Sequence, residues 1–435
     1  RDRRYTGIRM CNQLLENIDR VPDLDPELKK RYIGEAKVLR AYSYYELYTK
    51  FGDIPYTTKV LSIKESMSIA RTAKATVIAN VLADLDEVIN GNYLPTSYDA
   101  DNKGRITRWA AMAIKAKIYL FEGNWTQVKN ITSTIMTEGG FKLFGSYAGL
   151  FEIANEYNSE VILDAQYRPT SREHQMMYVF LPPTLGGYSQ LSPLQELVDS
   201  YIMLDGKTIK ETGTSFDESH PYANRDPRLK ATVMYTGNSY TLADGTEVVI
   251  NCEKGEGKDG YGVGSDCSAT GYYIKKYWDN TYRATLYSGL NPILIRYADI
   301  LLMNAEALAE LGELDKTAWD ATIKPIRNRA GFTLASALEF PEGASKDKLI
   351  EIVRNERRSE LALEGHRHKD IIRWRIADNV LNGWCHGLKT NDVVGTDDGY
   401  VRVENRTFNA NRHYLWPIPQ AERDLNGNLE QNPNW

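Results

Sequence analysis

The stretch Asn355-Glu356-Arg357-Arg358-Ser359-Glu360-Leu361-Ala362-Leu363-Glu364-Gly365-His366-Arg367-His368-Lys369-Asp370-Ile371-Ile372-Arg373-Trp374 decides how this chain is read. An ordinary surface helix keeps charge on one face and apolar residues on the other. Here an apolar stripe persists through Ile352, Leu361, Leu363, Ile371 and Trp374, while charge of both signs crowds the remaining positions. Glu356, Glu360 and Glu364 recur every fourth residue, so a continuous helix sets their carboxylates on one face. Arg357, Arg358, Arg367 and Arg373 lie within reach as partners. The spacing therefore predicts a helix over 355–374, pinned between other elements by a salt-bridge network.

Working outward, three segments repeat a pattern. Residues 32–52 (YIGEAKVLRAYSYYELYTKFG), 108–123 (RWAAMAIKAKIYLFEG) and 294–312 (LIRYADILLMNAEALAELG) each end in glycine. Four places before that glycine stands a large residue (Tyr48, Tyr119, Leu308). Seven places before it stands Ala116 or Ala305, with Tyr45 as the exception. Helices that close at glycine, with small residues where a neighbour approaches, are the mark of tetratricopeptide-like helix pairs. Partner helices are predicted over 75–90, 125–137 and 317–329, the first with Val77, Ile78, Val81, Leu82, Leu85, Val88 and Ile89 on one side. From about Glu160 to Asn291 the pattern changes to short β-like runs (160–165, 246–250, 272–277) separated by Gly, Pro, Ser and Asn clusters. This is a loop-rich insertion on a helical scaffold, and loops on rigid scaffolds are where binding surfaces concentrate.

The predicted fold is mainly α. Helical repeats fill 1–150, the insertion 151–291, and further repeats with the charged helix 292–376. An irregular tail fills 377–435, all within one compact unit. A chain of 435 residues is ample for a large core, and 26% charged with 42% hydrophobic residues is ordinary globular composition. A net charge of −5 gives no reason to expect nucleic acid as a partner. No apolar run approaches the ~18 residues needed to span a bilayer. The opening Arg1-Asp2-Arg3-Arg4 reads as the start of a trimmed mature chain. Tyrosine is in excess, 28 against 10 Phe and 8 Trp, and a ring with an apolar face and a hydroxyl rim suits sugars as well as a core.

Cys252 and Cys267 bracket a polar, glycine-rich loop and form a candidate disulfide, which would contribute roughly 3 kcal/mol in the loop-entropy picture. It would need an oxidising compartment. Cys11 and Cys385 read as isolated thiols. Catalytic signatures are lacking: the chain has no HExxH, GxSxG or Walker loop. Glu356 and Glu360 have the separation of a glycosidase pair, but the adjacent arginines would hold both ionised and leave no proton donor. His366 and His368, two apart on a helix, point in different directions and cannot chelate one metal. The sequence Asp99-Ala100-Asp101-Asn102-Lys103-Gly104 begins like a calcium loop. It then places Lys103 at position 5 and Ala110 at position 12, where oxygen ligands are required. No metal, cofactor or enzymatic activity is expected.

The charged stretch resembles the ERR-x-ELxxEG signature of the SusD/RagB family, and the resemblance extends along most of the chain. Ala36-Lys37-Val38-Leu39-Arg40-Ala41, with Phe51-Gly52-Asp53-Ile54-Pro55 following, matches a family helix ending in a GDxP turn. Gly104-Arg105-Ile106-Thr107, Arg296-Tyr297-Ala298-Asp299, Trp416-Pro417-Ile418-Pro419 and Gln431-Asn432-Pro433 follow in the family's order. Trp109 departs from the pattern, where a small residue is usual.

The resemblance implies an outer-membrane, cell-surface lipoprotein without catalytic activity. Such a protein captures oligo- or polysaccharide and passes it to a SusC-like TonB-dependent transporter. Membrane contact would come only through a lipid anchor on an N-terminal segment absent from this chain. It also implies that ligand is read by rings in the loop-rich half. Candidates there are Tyr178 and Tyr188 around Pro182-Pro183-Thr184-Leu185-Gly186-Gly187, then Tyr273, Trp278, Asn280, Tyr282, Arg283 and Tyr287. A family member that captures peptides or glycoprotein fragments, or a tetratricopeptide scaffold without a small ligand, are the alternatives. A pure scaffold has little use for the irregular insertion.

Overall fold

The computed structural model describes residues 4–282 and 286–435. Helices dominate, and the strands form only two- and three-stranded sheets. The chain folds as two compact units: Arg1–Gly139 with His368–Leu381 and Phe408–Trp435, and Gly140–Arg367 with Asn382–Thr407. The third repeat helix thus shares a unit with the insertion.

In the first unit the helices Arg4–Asn17, Pro26–Phe51, Lys74–Asn90, Arg108–Phe121 and Trp125–Glu138 pack as successive neighbours. Asp25 caps the second by accepting from Leu28 N–H, with Pro26 at the first turn, where a missing N–H costs nothing. The repeat glycines do what their spacing implied. Gly52, Gly123 and, in the second unit, Gly312 take φ of 71°, 71° and 74°, which lets the chain leave each helix abruptly. Ala116 and Ala305 are fully enclosed, so neighbouring helices approach closely over them.

The Pro-Ile-Pro and Gln-Asn-Pro blocks strap the end of the long second helix. Trp416 N–H donates to Lys50 O (2.7 Å), and Asn432 Nδ2 donates to Phe51 O (3.0 Å) and Trp416 O (2.7 Å). Terminal helix carbonyls that would otherwise lack donors are thereby satisfied.

In the second unit Tyr297–Leu311 packs on Lys346–Glu360. The helix expected over 317–329 is interrupted: Lys316–Ala321 and Ile323–Ala330 meet at Thr322. Pro325 is the physical reason, because its ring conflicts with the carbonyl four residues back. Strands form where expected, at Val161–Asp164, Glu247–Val249 and Tyr273–Ile274. Val161–Asp164 pairs antiparallel with Ile293–Arg296, joining the start of the insertion to its end.

The segment after 377 is more ordered than the sequence suggested. Tyr400–Arg406 is the central strand between Gly383–Lys389 and Thr396–Asp397. Asp398 and Gly399 both take positive φ (50° and 85°), making the tight hairpin turn.

The charged stretch differs from the expected continuous helix. Its first helix stops at Glu360, Leu363 and Gly365 turn through positive φ (63° and 80°), and a short helix resumes at Arg367–Arg373. The partners of the three glutamates also come from distant elements, not from the neighbouring arginines. Arg296 bridges Glu160 (2.7 Å), Glu360 (2.5 Å) and Glu364 (2.8 Å). Arg228 meets Asp226 (2.7 Å), Glu356 (2.7 Å) and Glu360 (2.8 Å). Arg327 pairs with Glu356 (2.8 Å), and Arg329 with Glu160 (2.9 Å) and Glu360.

Lys276 binds Glu364 (2.7 Å) and donates to Ala362 O (2.8 Å) at the open end of the helix. Five carboxylates thus face five cations, all enclosed. Arg357 instead pairs with Asp299 (2.6 Å), and Arg358 donates to Glu196 O (2.5 Å).

Burial alone would raise the Glu360 pKa, but Arg329, Arg296 and Arg228 outweigh it and hold the carboxyl well below its usual range. Glu356 and Glu364 are lowered in the same way, against burial, by Arg228 with Arg327 and by Arg296 with Lys276. Burial in turn brings Lys276 down to about 8. Enclosed and held ionised, Glu356 and Glu360 have neither the proton nor the access that acid–base chemistry on a glycoside requires.

Candidate functional site

The site is built on a fold-back loop of the second unit. Met176–Phe180 forms a short helix, Pro183–Leu185 a single tight turn, and Gly186 reverses the chain at φ 81°. Gly187 must be glycine, since a Cβ there would lie 2.1 Å from Leu181 O. The return places Tyr188 N–H on Tyr178 O (3.0 Å) and Leu191 N–H on Val179 O (3.2 Å). Registered this way, the rings of Tyr178 and Tyr188 stack with centroids 4.3 Å apart and planes 29° apart. Tyr188 keeps 40% of its surface exposed, and Leu191 beside it is exposed as well. Neither tyrosine hydroxyl is engaged by a hydrogen bond among the described residues.

A second strip of rings borders the same apolar cluster, which has Leu229, Val233, Tyr240, Tyr272 and Tyr273 at its centre. Trp278 is half-buried, with its ring 5.1 Å from Tyr240 and 5.2 Å from Tyr282, and its Nε1–H donates to Thr241 O (2.8 Å). Tyr282 donates its hydroxyl to Leu185 O (3.1 Å), which ties this strip to the fold-back loop. Burial raises the pKa of that hydroxyl. Between them Asp279 turns inward and accepts from Thr281 N–H (2.9 Å), Thr281 Oγ1 (2.6 Å) and Ser288 Oγ. Asn280 is exposed on the turn. Tyr287 is 39% exposed, and its hydroxyl accepts from Gln175 Nε2 (2.8 Å) just before the 176–180 helix.

The structure therefore gathers Tyr178, Tyr188, Trp278, Tyr282 and Tyr287 around one loop system and leaves Asn280 open beside them. Arg283 lies outside the described residues. Tyr273 is a correction: it is 0% exposed, its hydroxyl donates to Asp259 O (2.6 Å), and it serves the core. Its place in a strand paired with Val233–Met234 turns the ring inward. Cys252 and Cys267 are unbonded thiols. Cys252 sits in the apolar cluster, where burial pushes its pKa up to about 12, while Cys267 Sγ donates to Lys258 O (3.3 Å).

Sequence reading passed over Gln175 and Leu191, which edge the ring system; only the tertiary pairing of 178–191 brings them there. The calcium-like segment caps a turn instead, with Asp99 accepting from Asn102 N–H. Among the described residues no three His, Cys, Asp or Glu side chains converge as metal ligands would.

What the rings offer chemically is a part-exposed, partly apolar surface with hydroxyl and amide edges. Comparison with known proteins supplies the family. The SusD family profile matches residues 150–435, and a profile described as "Starch-binding associating with outer membrane" matches residues 2–120. SusD-like protein P25 of Formosa agariphila is 28% identical over 401 residues, spanning 87% of this chain and 70% of that protein. A crystal structure described as a SusD-like carbohydrate binding protein from Bacteroides fragilis aligns with a TM-score of 0.88 at 30% identity. That match covers 98% of this chain and 84% of the other. A further SusD-like protein of Bacteroides fragilis gives a TM-score of 0.84 at 28% identity, covering 99% and 85%. The matched profile takes in the ion-paired core, the ring-bearing loops and the closing Pro-Ile-Pro block, and the chain belongs to the SusD family.

Proposed function

We propose that this protein is a non-catalytic glycan-binding protein of the outer-membrane surface. The aromatic rim of its second unit holds an oligo- or polysaccharide for delivery to a SusC-like TonB-dependent transporter. The stacked Tyr178–Tyr188 pair carries the reading. It presents a solvent-facing ring at fixed orientation, with unengaged hydroxyls, and so needs little ordering to receive the apolar face of a sugar. Trp278, Tyr282 and Tyr287 extend the surface, and Asn280 and Gln175 supply amides for sugar hydroxyls. The carbohydrate-binding description of the Bacteroides fragilis relative supports the ligand class, and the outer-membrane profile supports the location. Among the described residues no helix is long and apolar enough to cross a membrane, which is compatible with attachment through a lipid anchor.

Isothermal titration of the full chain against a panel of neutral and acidic oligosaccharides tests the ligand. Binding that weakens on Tyr188→Ala supports the rim as the site. Binding of peptides with no response to any oligosaccharide would replace the glycan by a peptide ligand. Co-purification with a SusC-like transporter from native membranes tests delivery.

A further inference from the structure

We propose that the first unit carries a second ligand site, an aromatic ladder capped by arginines, which takes an acidic oligosaccharide through its carboxylates. The sugar half of this assignment rests on the function proposed above; the acidic half rests on the two guanidiniums.

Four side chains form an unbroken series. Tyr414 meets Phe408 (centroids 5.0 Å apart, 81°), Phe408 meets His413 (5.5 Å, 80°), and His413 meets Trp435 (5.2 Å, 40°). An arginine closes each end: the Arg375 guanidinium lies 3.9 Å from the Tyr414 centroid, and that of Arg412 lies 4.0 Å from the Trp435 centroid. Trp435 keeps 38% of its surface exposed, and Arg375 is exposed.

Three observations separate this cluster from ordinary packing. First, neither guanidinium has a carboxylate partner among the described residues, and the nearby Asp378 accepts from the Tyr414 hydroxyl (3.2 Å). Second, Arg375 takes φ 57° two residues past the 367–373 helix, where glycine or asparagine fits without strain. An arginine held in that conformation places its side chain over Tyr414. Third, Asn409 N–H donates to His413 Nδ1 (2.9 Å), which makes Nδ1 the acceptor and leaves the proton of the neutral ring on Nε2. The ladder therefore offers a part-exposed indole, an imidazole donor and two guanidiniums.

A guanidinium lying over a ring uses its face and keeps its N–H edge for a planar anion, and a carboxylate fits that edge with two parallel hydrogen bonds. Ring faces accept the C–H faces of the intervening sugars. A uronic-acid oligosaccharide meets both requirements.

The test uses the full chain with oligogalacturonate as the acidic probe and a malto-oligosaccharide among the neutral ones. Calorimetry measures affinity, and NMR follows the Trp435 indole and His413 ring. The variants are Arg412→Gln and Arg375→Asn, the second chosen because asparagine tolerates the left-handed backbone. Oligogalacturonate is expected to bind, to shift both signals, and to weaken as salt rises. Each variant should bind it about tenfold less tightly and leave neutral-sugar binding unchanged. Absence of oligogalacturonate binding, or binding that neither variant alters, overturns the second site. If that binding disappears only in Tyr188→Ala, the acidic ligand belongs to the other rim and the proposed function stands. If no oligosaccharide of either kind binds, both readings fail.

Discussion

Arg296 and Arg412 place the same guanidinium in opposite settings. Arg296 is enclosed and shares its nitrogens among Glu160, Glu360 and Glu364, while Arg412 lies over Trp435 without a carboxylate. Burying an ion costs several kcal/mol unless its charge is met, and every ion of the interior cluster faces at least one opposite charge. The guanidiniums of the ladder have no carboxylate of their own among the described residues and keep donors for something that arrives from solvent. Tyrosines divide the same way: Tyr273 is spent on the core, whereas Tyr188 stays 40% open. The interior ions are paired within the chain, whereas among the described residues Arg375 and Arg412 meet no carboxylate and the Tyr178 and Tyr188 hydroxyls meet no hydrogen-bond partner.

The sharpest way to break that comparison is to mutate both arginines alike. Arg296→Met leaves Glu160, Glu360 and Glu364 short of a shared cation, and urea unfolding should show a loss of about 3–5 kcal/mol. Arg412→Met should cost less than about 1 kcal/mol. Equal losses would mean that the two settings do not differ in kind.

Acid should undo the interior selectively. Glu356, Glu360 and Glu364 have folded pKa values below their unfolded ones. Their contribution is thus fully present above the unfolded carboxylate range, near pH 4.3, and is lost as pH falls through the lowered folded values. Chemical unfolding between about pH 5 and 2 should show stability falling with each step, more steeply in the wild type than in Glu360→Gln. A flat profile would mean that the network does not discriminate folded from unfolded chain.

On the surface side, Tyr188→Ala should reduce oligosaccharide affinity about tenfold while shifting unfolding by less than ~1 kcal/mol. A large stability loss with unchanged binding would move Tyr188 to the structural class. The smallest expected effect concerns the thiols. Under native conditions a thiol reagent should modify Cys267 and reach the buried Cys252 only on unfolding, because burial keeps that thiol protonated. Modification of both at equal rates would show the apolar cluster to be open.

Much of the fold was legible in local pattern. Gly52, Gly123 and Gly312 mark helix ends because only a residue without Cβ reverses the chain there easily, and alanines mark close approach. The break at Thr322 was missed by the helix expected over 317–329, although Pro325 could have signalled it. The hairpin turn could have been read from Asp398-Gly399, a strong short-range signal. The facing strand Gly383–Lys389 offers no alternation, and Gly387 is fixed by a distant contact: a Cβ would lie 2.6 Å from Thr270 O. Of the candidate ring residues, Tyr178 and Tyr188 could be paired through the glycine turn between them. Nothing local distinguishes Tyr273 from Tyr282, since which of them faces inward follows from pairing with Val233–Met234.

The amino-acid sequence by itself determined the helical scaffold, the family and the charge content of the stretch around Glu360. Those depend on residue identity at fixed spacing, and spacing is a local property. Tertiary structure decided which charges meet. It drew Arg228, Arg296, Arg327, Arg329 and Lys276 to glutamates far away in sequence, while the adjacent Arg357 turned to Asp299. It also decided which rings stay open to solvent, because exposure depends on what the rest of the chain packs against.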